Sequence, residues 1–211
     1  MVAWSLADGF FPANYPGWDD STYWLLGVVC ALALFASVLA HELSHSLAAL
    51  SQGQQVRSIT LFIFGSVSNL AAEAEEPRDE LLIAIVGPAT SFALAALFWL
   101  ALQAQVPRHS PLGAALSYLA FINLLLGGFN LVPGFPLDGG RVLRASLWAA
   151  TGSRRRATDV AAFVGQGVGL LLILWGISRL LGGELLGGLW TAFIGWFLNN
   201  AAEATRQQQV L

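Results

Sequence analysis

Residues 23–50 read YWLLGVVCALALFASVLAHELSHSLAAL, and the pentad His41-Glu42-Leu43-Ser44-His45 near the end of that run decides how the rest of the chain is read. The run is long enough for a helix to cross a bilayer core, which takes about 20 apolar residues. Ionisable side chains are expensive inside such a run and mark a functional position by default. On a helix His41 and His45 lie one turn apart on one face, so both imidazoles can reach a single ion. Glu42 projects about 100° round from His41, close enough to touch a water on that ion without ligating it. Counting from Trp24 at about 1.5 Å per residue puts His41 about 26 Å along a core about 30 Å thick, near its far edge.

Composition supports a membrane setting. Of 211 residues, 56% are hydrophobic and 11% charged, against about 25% charged in ordinary soluble domains. The net charge of −3 comes without a basic patch, which argues against nucleic acid as a partner. Cys30 is the only cysteine, which excludes an intrachain disulfide and a Cys-rich metal site. Five apolar stretches are candidate spans: 23–50, 81–104, 112–131, 160–180 and a shorter, Gly-rich 185–199. Arg57, Arg78, Arg141, Arg144, Arg154, Arg155, Arg156 and Arg206 fall on one side of them, with only Arg108 and Arg179 opposite. The positive-inside rule makes the first side cytoplasmic.

The resulting layout has an extracytoplasmic loop at 1–22, a membrane core at 23–151, C-terminal helices at 152–204 and a cytoplasmic tail at 205–211. The first stretch shows no secretory signal pattern, and Pro12, Pro16, Asp19 and Asp20 give it the look of a loop. Two segments do not read as spans. Residues 56–70 hold Ile59, Leu61, Ile63 and Val67 between Gly53 and Gly65, a pattern that predicts one or two short strands. Residues 131–140 hold Pro133, Gly134, Pro136, Gly139 and Gly140, which cannot continue a regular helix. The fold class expected is an all-α polytopic membrane protein of about five transmembrane helices, with a short membrane-associated β segment and a broken helix at the active site. Irregular backbone at membrane depth is tolerated only where it is buried in protein or lines a wet cavity.

A catalytic metal with two imidazoles needs a third protein ligand and a position for water. His109, the one other histidine, falls in the outer loop, at the wrong end of the helices. Glu73, Glu75, Glu76, Asp79 and Glu80 read as a solvated acidic loop. Asp138 follows an inward-running span and sits on broken backbone at the depth of the histidines, although an N-cap role for a helix starting near Gly139 would also suit it. Zinc fits these donors, as would other divalent ions.

Together the pentad and the later run Phe129-Asn130-Leu131-Val132-Pro133-Gly134-Phe135-Pro136-Leu137-Asp138-Gly139-Gly140-Arg141 resemble the site-2 protease family of intramembrane zinc metalloproteases, of M50 type. Leu61-Phe62-Ile63-Phe64-Gly65 and Gly87-Pro88-Ala89 resemble it too, so the likeness covers about 25–144. The resemblance implies that His41, His45 and Asp138 ligate zinc and that Glu42 is general base and acid. It also implies that Asn130 contacts the substrate backbone or the developing oxyanion; an interhelical hydrogen bond is the alternative for Asn130. Substrates would be single-pass transmembrane proteins already trimmed on the outer side, such as anti-sigma factors or transcription-factor precursors. The setting would be a bacterial or archaeal cell membrane, with the active site near its cytoplasmic side. Relatives of this kind usually have a span before the one bearing the pentad, so the chain is either short or lacks a preceding helix. Some carry soluble cystathionine-synthase-like domains after the last span. A metal transporter or sensor is the competing class, and it would not need Glu42 beside the ligands. A membrane protease of the prenyl-protein-processing type would want a Glu as third ligand on a further helix. Finally, residues 56–64, Ile63 among them, are expected to pair as a strand with an unwound substrate.

Overall fold

Long apolar runs form helices in a membrane because every backbone donor and acceptor is then satisfied within the segment. The computed structural model, which describes residues 1–53, 56–62, 65–70, 74–104 and 106–207, follows that rule. Its elements are α1 (Val2–Ser5), a π-helical turn (Leu6–Phe10), α2 (Phe11–Asn14), α3 (Asp20–Ser51), β1 (Val56–Phe62), β2 (Gly65–Leu70), α4 (Pro77–Gln103), α5 (Pro111–Asn130), α6 (Asp138–Thr151), α7 (Arg154–Leu181) and α8 (Leu185–Gln207). Among the described residues, four helices are long and apolar enough to cross a membrane: α3, α4, α5 and α7. Their surfaces carry exposed Leu25, Leu32, Phe35, Leu97, Trp99, Leu171 and Trp175, as suits helices whose outer face meets lipid. The fifth stretch, 185–199, lies within α8 but is not among these four. Its glycines at 187, 188 and 195 and the polar end from Asn199 onward dilute its apolar run.

The chain divides into two compact units, Met1–Leu47 with Val86–Gly128, and Ala48–Ile85 with Phe129–Leu211. In the first, the N-terminal stretch is not the loop that its prolines suggest. It is helical from Val2 to Asn14, and Leu6, Ala7 and Phe11 are buried against Tyr23, Leu26, Cys30, Ala114, Tyr118 and Leu119. Pro12 stands in the first turn of α2, where helices tolerate proline. Gly27 lets the N-terminal helix approach α3 closely, since a Cβ there would lie 2.5 Å from the Ala3 carbonyl. The Tyr23 hydroxyl then ties the connection down, donating to the Tyr15 carbonyl at 2.8 Å and accepting from the Trp18 N–H at 3.1 Å. Hydroxyls of Ser21 and Thr22 donate to the Asp19 carboxylate and hold its pKa at about 2.

In the second unit, β1 and β2 pair antiparallel, with Phe62 opposite Gly65 and an irregularity between Val56 and Ser58. Ile63 and Phe64, part of the segment expected to pair with substrate, lie outside the described residues. Helices α7 and α8 pack backbone to backbone: a Cβ on Gly169 would lie 2.7 Å from the Gly195 carbonyl, and one on Gly176 would lie 2.5 Å from the Ala192 nitrogen. Small residues permit that approach, which replaces the hydrophobic driving force that lipid removes. The acidic stretch is only partly solvated. Glu75 and Glu76 are exposed, whereas Glu80 is wholly buried because Arg144 of α6 reaches it. Glu73 lies outside the described residues.

Candidate metal site

Helix α3 presents both histidines inward, with His41 2% and His45 6% exposed. Their Nε2 atoms stand 3.3 Å apart. Two nitrogens held about 2.0–2.1 Å from one tetrahedral ion are separated by about 3.3–3.4 Å, so the pair already has the spacing that such an ion requires. The other nitrogen of His41, Nδ1, lies 2.8 Å from the hydroxyl of Ser91 on α4, a residue with no exposed surface. A metal on Nε2 would place the ring proton on Nδ1, where the Ser91 hydroxyl stands to accept it. One turn before His41, Ser37 accepts from Asn123 Nδ2 of α5 at 3.1 Å, which fixes the height of α3.

Gly87 makes the room for the imidazoles. A Cβ built on it would lie 2.1 Å from His45 Nε2 and 2.8 Å from His41 Nε2, so no other residue fits without displacing them. In the sequence this glycine stands out through the family likeness of Gly87-Pro88-Ala89, and nothing there shows that it makes room for the imidazoles. Ser91, four residues further along the same face of α4, is a small polar residue in an apolar run, a signal too common to single out unaided.

Asp138 is placed by different means. Leu137, not Asp138, occupies the N-cap of α6, with extended backbone at φ −73° and ψ 161°. Asp138 is therefore the first helical residue, which frees it from the capping role that its position in the sequence also suited. The preceding segment is turns: the Val132 N–H donates to the Phe129 carbonyl at 3.1 Å and the Leu137 N–H to the Gly134 carbonyl at 3.2 Å. Gly139 and Gly140 pack directly on it, since Cβ atoms there would lie 2.3 Å from the Val132 carbonyl and 2.4 Å from the Phe135 nitrogen. From the other side α7 closes on the same segment. The Phe135 N–H donates to the Ala161 carbonyl at 3.2 Å, and Gly165 leaves space where a Cβ would meet the Phe135 carbonyl at 2.1 Å.

The first unit thus offers two imidazole nitrogens at the spacing of one ion, and the second offers the Asp138 carboxylate at the start of α6. Two buried imidazoles and a half-buried carboxylate match the nitrogen and oxygen donors of a zinc centre. Glu42 follows His41 on α3 and is half-buried; Asn130, also half-buried, is the last residue of α5. His109 lies apart on the connection before α5, its ring against Tyr15 at 6.2 Å between centroids.

Fold and site together define a polytopic membrane protein with a buried pair of histidines spaced as one metal ion requires. The chain belongs to Peptidase family M50, whose model matches residues 29–107 and 101–174. It is 46% identical over 210 residues to a protein of Mycobacterium tuberculosis named as zinc metalloprotease Rip3, covering 98% of this chain and 53% of that protein. It is 45% identical over 199 residues to a Synechocystis protein also named as a zinc metalloprotease, covering 94% of this chain and 52% of the other. The chain thus spans about half the length of these curated relatives. Among solved structures, the site-2 protease from Methanocaldococcus jannaschii matches with a TM-score of 0.64 and 30% identity, over 97% of this chain and 86% of that one.

Proposed function

We propose that this chain forms the membrane core of an intramembrane zinc metalloprotease that hydrolyses peptide bonds in the transmembrane segments of other proteins. The buried pair of His41 and His45, with Nε2 atoms 3.3 Å apart in a chain of Peptidase family M50, carries the reading. His41, His45 and Asp138 would hold the ion; when bound, zinc supplies Lewis acidity and makes water a competent nucleophile near neutral pH. Glu42, adjacent to a ligand yet outside the ligand set, accepts the proton of the attacking water and returns it to the departing amide nitrogen. Asn130 offers a side-chain N–H to the carbonyl oxygen as negative charge develops there.

The substrates are single-pass membrane proteins, of the anti-sigma-factor or precursor kind, in a cell membrane whose cytoplasmic side is nearest the site. In this arrangement α8 is a fifth, shorter crossing and β1 and β2 lie at the cytoplasmic surface. A reporter fused after Gln207 should then read as cytoplasmic; an extracytoplasmic reading removes the fifth crossing.

Purified protein is expected to carry about one zinc per chain, and His41→Ala, His45→Ala and Asp138→Ala should each lose most of it. Metal analysis with a wild-type control decides this. Full occupancy in Asp138→Ala would mean that the third ligand lies elsewhere. The cleavage assay is hydrolysis of a model transmembrane substrate, in which Asn130→Ala should slow turnover by up to a few hundredfold, about the scale of a single oxyanion donor. Unchanged turnover would reduce Asn130 to an interhelical contact.

A further inference from the structure

A buried ion pair lies outside the metal group. Glu80 in the first turn of α4 has no exposed surface, and Arg144 in the second turn of α6 is 7% exposed. Arg144 Nε donates to Glu80 Oε1 at 2.7 Å, and its Nη2 donates to the same oxygen. The guanidinium also sits over the ring of buried Phe135, 5.0 Å from its centroid. Glu80 Oε2 is buried with no hydrogen-bond partner among the described residues. Taking two charges out of water is costly, and such a pair is weak evidence for stability as such. In a membrane protein a buried ionisable pair points instead to a task.

Position supplies the task. Arg144 follows Asp138 by six residues on α6, which places the two side chains about 120° apart round the helix axis. Glycines 139 and 140 fix how closely the start of α6 approaches the broken segment, but a close contact at the axis does not fix rotation about it. A directional charge-assisted bond from a long side chain one turn further on does fix it. The partner helix suits this use. On α4, Glu80, Gly87 and Ser91 are spaced by seven and four residues, so they share one face.

We infer that Glu80 and Arg144 are positioning residues for the carboxylate ligand: their ion pair sets the rotation of α6 and thereby the direction in which Asp138 is offered to the metal. The inference rests on the zinc reading above. Its test measures zinc affinity by chelator competition, the visible spectrum of the cobalt-substituted protein and the melting temperature, all on the full chain in detergent. Arg144→Lys keeps the charge but loses the rigid fork. The double variant Glu80→Met with Arg144→Met replaces the pair by apolar side chains, a change that buried ion pairs often tolerate without loss of stability. Both variants should melt within a few degrees of wild type, bind zinc about 10–100-fold more weakly and show altered cobalt bands. Wild-type zinc affinity and an unchanged cobalt spectrum in the folded double variant would overturn the inference and leave the pair as packing. Should the double variant fail to fold, Arg144→Lys decides by the same two readouts. A wild-type chain that takes up no zinc, or keeps it after His41→Ala, sinks the zinc reading itself, so the two failures are told apart.

Discussion

Glu42→Gln should leave zinc content at the wild-type level and abolish turnover, with a loss of at least about a thousandfold in the cleavage of a model transmembrane substrate. The substitution keeps the length and shape of the side chain, so α3 and the imidazoles are undisturbed. It removes only the capacity to take a proton from water and hand it to the leaving nitrogen. General acid–base catalysis by one positioned group contributes about 10²–10⁴-fold, and in the proposed function one carboxylate serves in both directions. The experiment also separates the two classes of function. A transporter or metal sensor uses Glu42 neither as ligand nor as base, so Glu42→Gln would be largely tolerated there. Retained zinc with retained cleavage would mean that the base is another residue.

Gly87→Ala should cost as much as the loss of a ligand, although the glycine touches no metal. The added methyl carbon would stand 2.1 Å from His45 Nε2 and 2.5 Å from His45 Cε1, closer than any real contact. Something must move, and the obstacle is the ligand atom itself. His41 cannot yield easily, since Ser91 holds its Nδ1 and its own Nε2 would lie 2.8 Å from the new carbon. Displacing His45 separates the two nitrogens from the spacing that a tetrahedral ion needs. Zinc affinity should fall by about 100-fold or more, beyond the usual 10–100-fold effect of groups that merely support a ligand. The melting temperature should change far less, because a methyl group on a neighbouring turn of α4 disturbs little else. Wild-type zinc affinity in Gly87→Ala would show that the imidazoles occupy a different rotamer in solution.

How much of this could be read from the sequence depends on the distance over which each residue acts. That His41 and His45 share a face follows from a spacing of four, a local property of any helix. That Asp138 sits on irregular backbone follows from prolines and glycines within a few positions of it. Glu80 reads as solvated in the sequence because its environment is set by a residue far along the chain. Nothing near Glu80 distinguishes it from Glu75 or Glu76, and only the fold brings Arg144 to it. The helical backbone of the N-terminal stretch escapes the sequence for a similar reason. Its prolines and acidic residues suit a loop, and the helix exists because Leu6 and Phe11 find a core built by α3 and α5. Ser91 and Gly87 act across helices through a single atom or the lack of one, which hydropathy does not register.

The seat of Phe135 on α7 bears on how small a working version of this molecule could be made. Every residue to which the proposed function gives a task falls before Thr151, so a chain cut there would keep all of them. It would lack the Ala161 carbonyl that receives the Phe135 N–H and the bare backbone at Gly165 on which the turn segment rests. With that floor gone, the segment that aims Asp138 would be exposed on one side to lipid, which cannot hydrogen-bond to it. A fragment that keeps this segment seated must therefore run past Gly165, and α7 sets its lower limit of size.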